Sequence, residues 1–234
     1  MDSKKTQVTR MFDNIAGSYD FLNRFLSMGI DRRWRAKTLK FLNLSPGASS
    51  QILDLATGTC DLAIEAVKMY PQVTVHAVDI SENMLKKGNE KIIKSKLENN
   101  IFTSIQDAEK LNFDNDQFDA VMIAFGVRNF ENLNKGLSEM FRVLKPGGRM
   151  IILEFSQTTR FPIKQLFNFY FQYILPGIGN LLSKDSHAYS YLFESVQHFP
   201  DYDRFTAILK QQGLRECTFK PLTFGICTIY IGTK

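Results

Sequence analysis

At 234 residues, 44% hydrophobic and 23% charged, the chain can bury one α/β core, which excludes the disordered and fibrous classes. A net charge of +5 without a long Lys/Arg run argues against nucleic acid and leaves a solvated basic surface or an anionic membrane face. Cys60, Cys217 and Cys227 are too few and too scattered for a disulfide framework or a zinc site, so no metal is expected, and no run approaches the roughly 20 apolar residues of a bilayer span.

Residues 6–43 are expected to be helical, with Trp34 set in the charged run 31–39, until Ser45-Pro46-Gly47 stops the helix. A short apolar run at 52–56 reads as the first strand, and 62–69 as the helix after it. The β-branched run 73–78 reads as the second strand and ends at Asp79, with Ser81 as N-cap of a helix to about Lys96. Residues 101–105 and 118–124 read as strands, 133–144 as a helix, Lys145-Pro146-Gly147-Gly148 as a turn and 149–153 as a fifth strand. After Glu154 the rhythm changes: 161–199 is aromatic-rich and irregular, 203–212 reads as a helix stopped by Gly213, and 217–220 and 226–231 read as two closing, antiparallel strands.

Strands alternating with helices imply right-handed βαβ units. The expected architecture is a Rossmann-like α/β fold: a mostly parallel, seven-stranded sheet with helices on both faces. Residues 1–45 form an N-terminal helical cap and 46–234 the main domain, with the aromatic segment at about 161–199 as a substrate or lid insertion.

Open α/β sheets bind ligands at the carboxyl ends of their strands, near the switch point. There the sequence places Asp54, Gly58 and Thr59, then Asp79, then Asp107 and Ala108, then 125–129. Gly58 permits a tight turn and close backbone approach. A carboxylate at Asp79 can accept from both ribose hydroxyls of an adenosine, at roughly 1.5–3 kcal/mol per charge-assisted bond. Met84 is placed to pack on adenine, and Asp107 to accept from its amino group. The alternative for both acids is capping of helices or turns. A nicotinamide Rossmann site prefers three glycines, and only Gly58 is present here, with Leu62 and Ala63 where the third would stand. The balance favours S-adenosylmethionine.

The run Leu53-Asp54-Leu55-Ala56-Thr57-Gly58-Thr59-Cys60-Asp61 resembles the first motif of class I methyltransferases. The segment from Arg142 to Ser156 is similar to a signature of the ubiquinone/menaquinone biosynthesis C-methyltransferases, and Tyr19-Asp20-Phe21-Leu22-Asn23, with Ser27 and Trp34, resembles their N-terminal signature. Phe125-Gly126-Val127-Arg128-Asn129 and Thr223-Phe224-Gly225-Ile226-Cys227 also fit, so the resemblance runs from about Phe12 to Gly232. It departs at Cys60, where the motif usually has Gly, and at Leu22 and Asp31, where Met and His are usual. The resemblance implies contacts to S-adenosylmethionine from Thr59, Asp79, Asp107 and Ala108. A serine that often precedes the Phe-Gly pair is Ala124 here and is not carried over.

Methylating a ring carbon needs an electron-rich ring, which a quinol supplies and a quinone does not. A phenol ionises near a pKa of about 10, so a base or a phenolate-stabilising group is needed. The candidates are Arg128 as stabiliser with Asn129 and Tyr19 orienting the ring; Asp61 and His187 are further candidates for a base. Structural ion pairing is the alternative for Arg128, and core packing for Tyr19. The aromatic stretch 167–182 suits a tunnel for an isoprenoid tail, a lid, a dimer surface or a core helix. The expected partner is a prenylated quinol, most simply demethylmenaquinol, with the ubiquinone-pathway benzoquinol, another small molecule or a non-catalytic organising role as alternatives. The polar N-terminus carries no signal core, so the expected location is cytoplasmic, with peripheral contact at the inner membrane face and a homodimer as further expectations.

Overall fold

A computed structural model describes residues 3–27, 29–44, 47, 49–158, 161–169 and 187–234. Most of the stretch 167–182, with its tunnel, lid and dimer readings, lies outside the described residues, as does the His187 side chain.

The N-terminal helical region is divided into α1 (Lys4–Ile15), α2 (Tyr19–Leu26) and α3 (Ile30–Leu39). Ser3 caps α1 by accepting from the Thr6 amide. Gly29, at φ 74°, breaks the run before α3, a backbone state that glycine adopts without steric cost.

The sheet contains β1 (Gln51–Leu55), β2 (Thr74–Asp79), β3 (Ile101–Ile105), β4 (Phe118–Ala124), β5 (Leu144–Phe155), β6 (Arg215–Leu222) and β7 (Cys227–Thr233). Their order is β3-β2-β1-β4-β5-β7-β6. The pairs from β3 through β5 are parallel, and β7 lies antiparallel between β5 and β6. Helices α4 (Asp61–Met69), α5 (Glu82–Ser95) and α6 (Leu133–Val143) connect the parallel strands. Helices α7 (Ile163–Phe169), α8 (His187–His198) and α9 (Tyr202–Gln211) follow β5.

The central strands bury both faces, as a sheet sandwiched between helices requires. In β4, Ala120 and Met122 join one core cluster with Trp34 and Leu39 of α3 and Leu62 and Val67 of α4. Val121 and Ile123 point the other way, to Leu137 and Met140 of α6 and Phe205 and Leu209 of α9. This is the mostly parallel seven-stranded sheet that the sequence predicts.

Two segments differ from expectation. Strand β5 begins at Leu144, and the expected turn is carried inside it: Phe118 pairs with Leu144 and Ala120 with Arg149, with a register shift between. The second is α8, in a region read as irregular. Its apolar positions Leu192 and Val196, with Phe199 just past its end, follow helical spacing, and Val196 and Phe199 are buried.

Candidate active site

The order of strands reverses between β1 and β4, so the crevice at their carboxyl ends is the switch point of the sheet. A pocket, part of it open to solvent, lies there. It is lined by the loops after β1, β2, β3 and β4 and roofed by α1.

The loop after β1 carries Ala56, Gly58 and Cys60 at φ 51°, 57° and 63°. Two of these are not glycine, so the turn is held against its local preference. Thr57 supplies the hold: its amide donates to Val78 O at 3.0 Å and its hydroxyl to Asp54 Oδ2 at 2.6 Å. Asp54 is buried and also accepts from the Ala63 amide. Burial pushes its pKa up to about 7. Asp54 therefore braces the loop from behind and is not among the residues lining the pocket.

Cys60 turns away from the pocket. Its sulfur fills a notch left by Gly88 of α5, where an added Cβ would meet Sγ at 2.4 Å. The crowding that Cys60 threatens by sequence is thus directed into the helix interface, and burial pushes its thiol up to about 12. Thr59 is also buried, donating to Asp20 Oδ1 at 2.6 Å and accepting from Lys91 Nζ at 3.0 Å. It too does not line the pocket.

Gly58 presents open backbone; the nearest atom to a Cβ built there is Tyr19 Cε1, at 3.9 Å. Its amide donates to Asp79 Oδ2 at 2.8 Å, and the Ser81 amide to Asp79 Oδ1 at 2.9 Å. The Ile80 amide also bonds this carboxylate, whose roughly four acceptor sites leave capacity toward the pocket. Burial raises the Asp79 pKa, and the amides oppose that rise. Met84, on α5, is buried and lines the pocket, as do Ile80 and Ala108.

Asp107 lines the pocket with one oxygen already engaged from above. Lys5 of α1 donates to Oδ2 at 2.7 Å, and the Glu109 amide to Oδ1 at 2.9 Å. Burial raises the Asp107 pKa, but Lys5 more than offsets this and holds it below the usual carboxylate range. Lys4 donates to the Phe130 carbonyl at 2.7 Å, while Val8, Thr9 and Phe12 face the pocket. Nothing in the sequence marks α1 as a roof, since Lys5 and Asp107 meet only in three dimensions.

Tyr19, Phe125, Asn129 and Phe130 also line the pocket. Tyr19 packs edge-on to Phe12 at 6.0 Å, and burial raises its phenol pKa, keeping it neutral. Gly126 brings the β4 loop onto the β1 loop; a Cβ there would sit 2.7 Å from Ala56 Cβ. Asn129 accepts a hydrogen bond from the Tyr191 hydroxyl at 3.2 Å.

Arg128 does not line the pocket. Its guanidinium forms a buried ion pair with Glu154 at 2.9 Å and donates to Phe125 O and, at 3.2 Å, to Ser195 Oγ. Glu154 ends β5 and could have been flagged by the same strand-end logic as Asp79. Asp61 is outside the pocket too: burial raises its pKa, but Lys91 and Arg35 outweigh that and hold it low. The geometry therefore removes Asp61 as a base, because an ion-paired carboxylate of lowered pKa is a poor proton acceptor.

A model of the ubiE/COQ5 methyltransferase family matches residues 1–234. The chain belongs to that family. A demethylmenaquinone methyltransferase of Bacteroides fragilis is 47% identical, covering 100% of this chain and 95% of that one. A protein of Geobacter sulfurreducens named ubiquinone/menaquinone biosynthesis C-methyltransferase is 44% identical over 100% of this chain and 91% of that one. Among solved structures, an S-adenosylmethionine-dependent methyltransferase from Thermotoga maritima aligns with a TM-score of 0.68 at 15% identity, covering 96% of this chain and 99% of that one. A Haemonchus contortus phosphoethanolamine N-methyltransferase with bound S-adenosylhomocysteine aligns with a TM-score of 0.65 at 16% identity, over 90% of this chain and 58% of that one. This ubiE/COQ5 chain is an S-adenosylmethionine-dependent methyltransferase with the class I Rossmann-like fold.

Proposed function

We propose that the enzyme methylates a ring carbon of a prenylated quinol, with demethylmenaquinol as the preferred acceptor and S-adenosylmethionine as donor. The observation that carries this reading is that one pocket is lined both by Asp79 and Met84, suited to a ribose and an adenine, and by aromatic rings and Asn129, suited to a flat, oxygenated ring. The names of the full-length relatives support the same substrate class.

In this reading Asp79 and the Gly58 loop hold the donor, with Thr59 bracing that loop, and Asp107 and Ala108 border the purine. The donor gives up an electrophilic methyl group and leaves as S-adenosylhomocysteine, while the ring carbon that gains the methyl releases its proton to solvent. Tyr19 and Asn129 orient the acceptor ring, and the Asn129 amide donates to a ring oxygen as negative charge develops there. Arg128 acts by holding the turn that carries Asn129, its charge shared with Glu154, and not by touching the ring. Roofed by α1, the site aligns the two substrates, which supplies on the order of 7–11 kcal/mol in favourable cases. Residues 1–45 serve as the cap of the catalytic domain. A prenyl tail leads outward to a bilayer, so peripheral membrane contact belongs to the proposal, as does a homodimer. Among the described residues no helix is long and apolar enough to cross a membrane.

The test is label transfer from methyl-labelled S-adenosylmethionine to a demethylated prenyl-naphthoquinone, reduced or oxidised. Label on a ring carbon of the reduced form alone is expected. Transfer to neither form, or to both equally, would refute the reading. The name of the Geobacter relative favours the prenylated benzoquinol of the ubiquinone pathway as a second acceptor, to be compared in the same assay.

A further inference from the structure

Helix α8 sends two polar side chains from one face onto consecutive residues of the turn Val127–Asn129. Tyr191 and Ser195 stand four residues apart, so they share a helical face. The Tyr191 hydroxyl donates to Asn129 Oδ1 at 3.2 Å. Ser195 Oγ accepts from Arg128 Nε at 3.2 Å and donates to the Leu192 carbonyl at 2.9 Å, so its own orientation is fixed. Beneath the turn, Glu154 accepts from Arg128 Nη1 at 2.9 Å. The turn is therefore held from both sides, by the end of β5 and by α8.

The consequence for Asn129 is chemical as well as steric. An amide has one acceptor oxygen and one donor nitrogen. With Oδ1 accepting from Tyr191, the Nδ2 group is the end presented to other partners, and Asn129 lines the pocket. Without Tyr191 the side chain loses this anchor and can turn its N–H group away from the acceptor ring. An oxygen facing a developing phenolate is repelled, where an N–H group is attracted.

We propose that Tyr191 is a positioning residue for methyl transfer, anchoring the Asn129 side chain where its amide meets the acceptor ring, and that Ser195 anchors Arg128, which holds the same turn. This rests on the quinol reading above. Its distinctive feature is that the segment after β5, beyond the nucleotide-binding half of the sheet, sets the electrostatics of the acceptor side.

The experiment compares wild type, Tyr191→Phe, Asn129→Ala and the double variant in steady-state transfer to the reduced prenyl-naphthoquinol, with calorimetry of S-adenosylhomocysteine binding alongside. Tyr191→Phe should lower kcat roughly three- to tenfold, the size of one net hydrogen bond, with donor affinity unchanged. In the Asn129→Ala background it should have no further effect on kcat, because its partner is gone. Ser195→Ala, the second variant should Tyr191→Phe fail to fold, should likewise lower kcat and leave donor affinity unchanged. An inactive wild type would overturn the quinol reading itself. With an active wild type, the positioning role alone is overturned by an unchanged kcat, by a parallel loss of donor affinity, or by an equal loss with and without Asn129.

Discussion

Replacing Asp79 by Asn changes one carboxylate oxygen to an NH2 group and little else in shape. Two effects follow from the geometry. In the protein alone, the carboxylate accepts from the Gly58 amide at 2.8 Å and the Ser81 amide at 2.9 Å, one per oxygen. An amide side chain can satisfy only one of them, and the other donor is left facing an N–H group, at a cost of about 1–3 kcal/mol in folding stability. On binding, two charge-assisted bonds to ribose hydroxyls become two neutral ones, because a hydroxyl can also accept from the amide NH2. The difference between charged and neutral hydrogen bonds, about 1–1.5 kcal/mol each, gives about 2–3 kcal/mol over two bonds, or a Kd weaker by roughly 30- to 150-fold. Calorimetry with S-adenosylhomocysteine measures the second effect and urea denaturation of the unliganded protein the first. An affinity within about threefold of wild type, in a variant that remains folded, would refute the ribose assignment.

Two further outcomes rest on the loop after β1. Asp54 has a folded pKa raised to about 7 by burial, against about 3.9 in the unfolded chain, so its contribution to stability is fully present below pH 4 and is lost as the pH rises through 7. Asp54→Asn should therefore gain on wild type by up to about 1.4 kcal/mol per pH unit between pH 5 and 7 and nothing further above; parallel urea-denaturation curves across that window would contradict this. Gly88→Ala places a Cβ 2.4 Å from Cys60 Sγ and should destabilise by about 1–3 kcal/mol, with Cys60→Gly in the same chain restoring most of the loss because it removes the sulfur and suits φ 63°. Equal thermal stability of the single and double variants would show that the notch is not where the strain falls.

The fold was legible because its strands are apolar on both faces and its connections are punctuated. The residues 52–56, 73–78 and 118–124 could hardly be anything but buried strands, and Ser81 caps α5 as its type suggests, accepting from the Met84 amide. Strand β5 was harder, because Pro146 and the glycines after it signal a turn that is real locally yet interrupts a single strand. The clustering at the strand ends was legible in outline, since Asp79, Met84, Asp107 and Ala108 line one pocket. What sequence spacing conceals is which way a side chain turns. Asp54 and Thr59 belong to the glycine motif but face away from the pocket, bound to Thr57 and to Asp20 and Lys91. Arg128 adjoins Asn129, yet the first is buried against Glu154 and the second faces the pocket. The roof over the pocket was illegible for a different reason. Lys5 and Asp107 are 102 residues apart, and no periodicity links them.

The most direct test is a crystal structure with S-adenosylhomocysteine bound. The adenosine should occupy the crevice between the β1 and β4 loops, with both ribose hydroxyls on the Asp79 carboxylate and the purine against Met84. A ligand seated elsewhere, or an Asp79 carboxylate out of reach of any sugar, would contradict the account.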